Sequence, residues 1–231
     1  MPQVEERNCS LIIPAYNEEG RIQAFLRDLL TFEGEVIIVA DGTDSTADLV
    51  SAFIRSHPDR SIHCLSFEAR LGKGGGTIAG MRAATRPCIG FCDADGSTSV
   101  GEMKRLFSRL DAADGVIGSR WVAGSVIPVR QGLLRRFQSR LFNMIIRLLF
   151  GLTYSDTQCG AKVFRGEVLD EILDDVSSTG FEFDVELLWR AKMAGYAIIE
   201  EPIEWSDRGG SSVGLKDALL MLVGLLRIRF L

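Results

Sequence analysis

Histidine is scarce in this 231-residue chain: His57 and His63 are the only two, and they share one segment apart from the acidic motifs. Zinc sites draw on histidine and cysteine, so zinc-centred hydrolysis is not expected. The five cysteines, Cys9, Cys64, Cys88, Cys92 and Cys159, are an odd number without paired metal-ligand spacing. Cys88 and Cys92 lie in an apolar run, where a reduced thiol behaves as a small hydrophobe, and a reducing cytoplasm is the simplest setting. Residues 1–7 are polar and acidic and hold no apolar signal core, so export is not expected. The apolar stretch 218–226 falls short of the ~20 residues a membrane-spanning helix needs. Basic charge is not in excess either. With 26 Lys and Arg against 31 Asp and Glu, the net charge of −5 argues against a general nucleic-acid binder. No repeat, low-complexity tract or linker divides the chain.

What is present is an ample core. A 46% hydrophobic, 25% charged composition fits one sizeable globular domain over residues 1–231. β-rich runs at 9–14, 35–40, 62–67, 87–92 and 115–119 alternate with helical patterns at 18–30, 45–56, 73–85 and 100–110. This βαβ rhythm predicts an α/β fold with a mostly parallel central sheet and helices on both faces. Ligands of such sheets bind beyond the carboxyl ends of the strands, which marks loops 16–19, 41–46 and 93–97. After residue 119 the rhythm changes to a long helix at 132–150, a strand at 161–164, helices at 167–174 and 182–194, a strand at 197–201 and a helix from Lys216.

The apolar run Cys88-Ile89-Gly90-Phe91-Cys92 empties into Asp93-Ala94-Asp95-Gly96. Two carboxylates one residue apart at a strand end can approach one cation, small Ala94 leaves room for a bulky ligand, and oxygen-only ligation suits Mg²⁺ or Mn²⁺. A solvated turn is the competing reading, since Asp-Gly is also a turn signal. In the first loop, Pro14, Tyr16, Asn17 and Glu18 offer an aromatic face and polar groups for a base or ribose; Asn17 is equally a good helix N-cap. Asp41 stands at a strand end where base or ribose recognition is common, with a capped helix as the alternative. Arg70-Leu71-Gly72-Lys73-Gly74-Gly75-Gly76 resembles a phosphate cradle with Lys73 supplying charge. It lacks the P-loop spacing and the Ser/Thr after the lysine, so nucleoside triphosphate hydrolysis is disfavoured; a flexible turn before a helix is the alternative.

Taken in order, Ile13-Pro14-Ala15-Tyr16-Asn17-Glu18-Glu19, Asp41-Gly42-Thr43-Asp44-Ser45-Thr46, Gly72-Lys73-Gly74-Gly75 and Asp93-Ala94-Asp95-Gly96 resemble a family 2 inverting glycosyltransferase of the GT-A (Rossmann-like) fold. Gly118-Ser119-Arg120, Asp156-Thr157-Gln158-Cys159-Gly160 and Phe183-Asp184-Val185-Glu186 narrow the resemblance to polyprenyl-phosphate sugar synthases, especially the dolichyl-phosphate glucosyltransferase branch. It implies a donor, UDP-glucose, held by Pro14, Tyr16, Asn17, Glu18, Asp41, Lys73, Asp93, Ala94 and Asp95, with Mg²⁺ or Mn²⁺ on Asp93 and Asp95. The implied acceptor is a polyprenyl or dolichyl monophosphate that attacks the anomeric carbon with inversion. GDP-mannose is the rival donor within the class. A non-catalytic membrane-associated binding protein and a nucleotidyltransferase are readings of other classes.

A phosphate monoester, with a second pKa of about 6, is already largely ionised at neutral pH, so this chemistry asks for cations rather than a strong base. By resemblance, Arg120, Arg135 and Ser139 hold the acceptor phosphate, and Asp95, Arg120 and Arg135 form the catalytic set. Arg136 and Arg140 better fit a coated helix surface. Gln158, Asp184 and Glu186 match positions on the acceptor side, where a structural role is an equal reading for the two acids. The basic, amphipathic helix 132–150 and the segment 215–231 are candidate membrane-interface helices; the second also suits packing on the first or on a second copy. Peripheral attachment at a cytoplasmic membrane face is therefore expected. Three departures stand out: Ala40 precedes Asp41 where the family commonly has a second acid, Ser97 replaces a further metal ligand, and Ser212 stands where relatives carry lysine, with Lys216 or Arg208 as substitutes.

Overall fold

The computed structural model describes residues 4–128, 133–206 and 215–230; the side chains of 133–141 and 215–218 lie outside that description. The βαβ half runs β1 (Cys9–Ala15), α1 (Ile22–Leu29), β2 (Glu35–Ala40), α2 (Thr46–Ser56), β3 (Ile62–Ser66), α3 (Gly72–Ala83), β4 (Cys88–Phe91), α4 (Val100–Ser108) and β5 (Gly115–Ser119). The second half adds α5 (Leu133–Phe150), β6 (Lys162–Arg165), α6 (Gly166–Ile172), α7 (Phe183–Met193), β7 (Ile198–Pro202) and α8 (Leu215–Phe230). One seven-stranded sheet has the order β3-β2-β1-β4-β6-β5-β7. Among the described strands, β6 alone runs antiparallel to its neighbours.

The strands are apolar on both faces because helices cover both, as a parallel sheet requires. Alternation then sorts the side chains. Leu11, Ile13, Val36 and Ile38 pack with Phe25, Leu29, Met103 and Leu106 of α1 and α4, whereas Ile12, Ile37 and Val39 pack with Met81 of α3 and Phe183 and Leu187 of α7. In α1 the buried positions 22, 25, 26 and 29 follow the helical period. Ser99 caps α4, its Oγ accepting the Glu102 N–H at 3.3 Å. On the other face α3 lies unusually close to the sheet: a Cβ on Gly80 would stand 2.4 Å from Ile12 Cγ2.

Strand order reverses between β1 and β4, and their carboxyl ends open a crevice. Pro14 fits this central strand for a local reason. Ile12 is the last β1 residue paired with β4, at Phe91, and the Ile12 carbonyl accepts from Cys92 N. Pro14, two residues on, faces the same side where β4 has already ended, so its missing N–H breaks no ladder bond.

One expected boundary is corrected. The helix expected from residue 18 begins at Ile22, and Asn17 is not its N-cap. Asn17 adopts φ 55°, the left-handed region, and its Oδ1 accepts the Thr43 N–H at 2.9 Å. Its amide group thus ties the loop after β1 to the loop after β2, a bond between distant segments that local capping preference does not report.

Candidate active site

Asp93 and Asp95 leave β4 at the crevice, with Ala94 buried between them. Asp95 Oδ1 accepts from Ser97 N at 2.8 Å, an Asx turn that fixes the loop. The Asp93 carboxylate is 42% exposed and pairs with Lys73 Nζ at 3.0 Å. Behind it sits Gly160: a Cβ there would fall 1.9 Å from Asp93 Oδ2. Only hydrogen fits, so the carboxylate is held from one side by a backbone and from the other by an ammonium. Glu18 lies near both acids. Burial raises its pKa, Arg21 opposes that, and the charges of Asp95 and Asp93 raise it further.

Lys73 reaches past Asp93 to Asp184 Oδ2 at 3.1 Å, and Asp184 in turn holds the wholly buried Lys162. Burial disfavours the Lys73 ammonium, but Asp184 and Asp93 outweigh it and hold the group charged. Burial likewise pushes the Asp184 carboxyl up, while Lys162 and Lys73 pull it below the usual carboxylate range. The result is an unbroken row of alternating charge, Lys162, Asp184, Lys73, Asp93, leading from the core to the crevice.

The glycine segment differs from its expected role as a phosphate cradle. Leu71 N and Gly72 N donate to Asp41 Oδ2 at 2.8 and 3.0 Å, and Gly74 N and Gly75 N donate to the Thr179 carbonyl. Those four amides are committed inside the protein. The glycines instead allow close packing: a Cβ on Gly74 would lie 2.6 Å from Phe183 Cβ and from the Ser178 carbonyl. Asp41, expected at a base or ribose, is buried and anchors this segment. Tyr16 is 41% exposed at the crevice, with the Arg70 guanidinium 4.0 Å from its ring centroid.

On the other side of the crevice, Arg120 was expected at the acceptor phosphate. Its Nε and Nη2 fork onto Asp156 at 2.7 and 2.9 Å, and its guanidinium lies 5.3 Å from the Trp205 ring centroid. Burial works against both partners, and their mutual attraction keeps Asp156 ionised below the usual range. Gln158 Nε2 donates to Met221 Sδ, joining this loop to α8. Glu186, one of the acceptor-side candidates, is fully buried and structural: its Oε2 accepts from Ser177 N, Ser178 N and Ser178 Oγ, and its Oε1 from Arg190. The side chains of Arg135 and Ser139, with Arg136 and Arg140, lie outside the described residues, as do Arg208, Ser212 and the side chain of Lys216. Lys162 was not singled out from the sequence, and Gly160 stood there only as the end of the 156–160 motif, with no role against Asp93. A lysine opening an apolar strand, Lys162-Val163-Phe164, is the signal for a buried ion pair; nothing in a glycine's neighbours reports that a carboxylate from another loop lies against it.

A hollow of about 660 Å³ also opens beside Asp95, lined by Gly20, Arg21, Arg27, Asp28, Gly96 and Ser99. Its lining is α1 and the start of α4 rather than Lys73 or Asp93. Among the described residues, no three His, Cys, Asp or Glu side chains converge as a metal cluster.

A mostly parallel sheet with an acid-x-acid loop in the β1–β4 crevice is the GT-A class of α/β fold, and solved structures agree. A mannosyltransferase from Pyrobaculum calidifontis in complex with GDP-Man and Mn²⁺ superposes with a TM-score of 0.62 at 20% identity, covering 96% of this chain and 63% of that one. Glucosyl-3-phosphoglycerate synthase from Mycobacterium tuberculosis, in complex with Mn²⁺, UDP-Glc and glycerol 3-phosphate, gives 0.67 at 16% identity over 96% and 78%. The chain belongs to glycosyl transferase family 2, whose pattern matches residues 10–173. It is 32% identical to glycosyltransferase AglD of Haloferax volcanii over 94% of its length but spans only 36% of that protein. It is 30% identical to a dolichyl-phosphate beta-glucosyltransferase of Dictyostelium discoideum, covering 96% of this chain and 73% of the relative. It is also 32% identical to a polyprenol monophosphomannose synthase of Mycolicibacterium smegmatis, over 86% and 77%.

Proposed function

We propose that the protein transfers a sugar, glucose from UDP-glucose, to a polyprenyl or dolichyl monophosphate with inversion at the anomeric carbon. The observation that carries this reading is the state of four acids beyond the metal loop. Asp156 is forked by Arg120, Asp184 is held between two lysines, Glu186 is committed to loop amides, and Glu200 accepts the N–H groups of Ser155 and Asp156. An acceptor hydroxyl would need a carboxylate free to take its proton. A phosphate monoester, ionised at neutral pH, does not. The dolichyl-phosphate and polyprenol relatives support the same acceptor class.

Asp93 and Asp95 fit a divalent cation, Mg²⁺ or Mn²⁺: they are hard oxygen donors, Asp93 stands partly exposed, and Gly160 leaves its carboxylate room. Held by Asp93 and Asp95, such a cation would supply neutralisation of the charge on a departing diphosphate. The chain's own groups do the positioning. Asp41 anchors the segment that carries Lys73, Tyr16 presents a face at the crevice, and Arg120, with Arg135 and Ser139, serves the acceptor phosphate. A monophosphomannose synthase among the relatives, and a structural neighbour in complex with GDP-Man, favour GDP-mannose as the alternative donor. For the acceptor's membrane, α8 and the end of α5 carry exposed Met144, Leu148, Leu219, Leu220, Val223, Leu226 and Phe230 beside Arg227 and Arg229, a surface suited to an anionic lipid interface at the cytoplasmic face.

Asp95→Ala tests the chemistry. Sugar transfer to lipid phosphate should fall below detection while the circular dichroism spectrum and melting temperature match the parent; undiminished turnover would remove the cation from the reaction.

A further inference from the structure

Lys73 is held where a divalent cation would act. An ammonium has three N–H donors, and two of them are engaged, one by Asp93 and one by Asp184. These two partners differ in character. Asp93 is 42% exposed on a loop, whereas Asp184 is 2% exposed on α7 and is fixed from its far side by Lys162. Lys162 is itself pinned, donating to the Cys159 carbonyl and lying 5.5 Å from the Phe91 ring centroid. One end of the row is rigid and buried; the other is open to solvent. A cation arriving at Asp93 therefore meets a carboxylate already paired with a positive charge, and like charges on one carboxylate repel. The buried end does not give way, because breaking it would leave Lys162 or Asp184 uncompensated in the core.

Resting on the cation reading of Asp93 and Asp95 above, we propose that Lys73 is an exchangeable counter-ion of Asp93: it neutralises that carboxylate in the free protein and is displaced from it when the divalent cation binds, while Asp184 keeps it at the crevice. The exchange gives the row its use. Without a cation, Asp93 is prevented from repelling Asp95 and Glu18. With one, an N–H of Lys73 is released next to the cation and becomes available to a phosphate oxygen of the donor. Lys73 is then a positioning residue in the free protein and a donor contact in the loaded one. The cost is a weaker affinity for the bare cation.

Mn²⁺ titrations of the folded protein without nucleotide or lipid, read from the free-Mn²⁺ electron paramagnetic resonance signal, test this. Lys73→Met should bind Mn²⁺ at least ~10-fold more tightly than the parent, and Lys73→Arg, which restores the charge, should return to within ~2-fold of it. Equal or weaker binding by Lys73→Met overturns the exchange. Asp93→Asn separates the two ideas: lost binding upholds the cation site whatever Lys73 does, and unchanged binding, or no binding by the parent, overturns the site and the exchange together. Should Lys73→Met not fold, the parent carries the test through Lys73 acetylation by an amine-reactive ester, followed by mass spectrometry. Saturating Mn²⁺ should speed that modification several-fold, because one of the two ion-pair partners has been taken away; an unchanged rate overturns the proposal.

Discussion

Gly160 and Asp93 show how one atom decides a site. The carboxylate lies where any side chain at 160 would begin, 1.9 Å from an ideal Cβ. Gly160→Ala must therefore move Asp93 or the backbone by an ångström or more, and misplacement of that size costs ~100-fold in rate. Transfer by Gly160→Ala should fall about that far, with little change in melting temperature, since Asp93 is partly in solvent; kinetics within a factor of a few of the parent would show that Asp93 is not held there for chemistry. The same scale explains what sequence reading reached and what it did not. The placement of Asp93, Asp95 and Tyr16 at the crevice was legible because each lies in a loop that leaves the carboxyl end of a strand. The partners of Lys73, Asp41 and Arg120 were not: they come from 20 to 111 residues away, and a motif names a charge without naming what neutralises it.

At the scale of elements, the loop 177–179 links core to crevice. Glu186 on α7 takes the amides of Ser177 and Ser178, and the Thr179 carbonyl takes those of Gly74 and Gly75. A buried acid on one helix thus sets the start of another. Glu186→Ala would leave buried donors unpaired and should destabilise the protein by about 3 kcal/mol in urea unfolding. A change under ~0.5 kcal/mol would mean that those bonds are replaced by water. The elements themselves were largely readable from hydrophobic period. β2 and β5 fall on the expected residues, and most other boundaries move by one or two. α1 is the exception, starting four residues late because Glu18 N and Glu19 N bond to Thr46 Oγ1 and Asp44 Oδ2 of the neighbouring loop after β2. Long-range bonds of that kind override a local helix signal.

For the whole molecule, the acidic chain turns one apolar and basic surface outward, on α5 and α8. No helix among the described residues is long and apolar enough to cross a membrane; under the proposed function, that surface is where the lipid acceptor's membrane would be met. Replacing Leu220 and Phe230, 59% and 69% exposed, with glutamate should lower co-sedimentation with anionic vesicles at least ~10-fold. Equal sedimentation would place the lipid contact elsewhere. The central claim, sugar transfer to a lipid phosphate, is tested most directly by incubating the protein with Mg²⁺, polyprenyl monophosphate and a panel of labelled nucleotide sugars. The account predicts label in the lipid from UDP-glucose, β-configured and abolished by a chelator. Label only from GDP-mannose would contradict the donor, and no lipid-linked label from any donor would contradict the function.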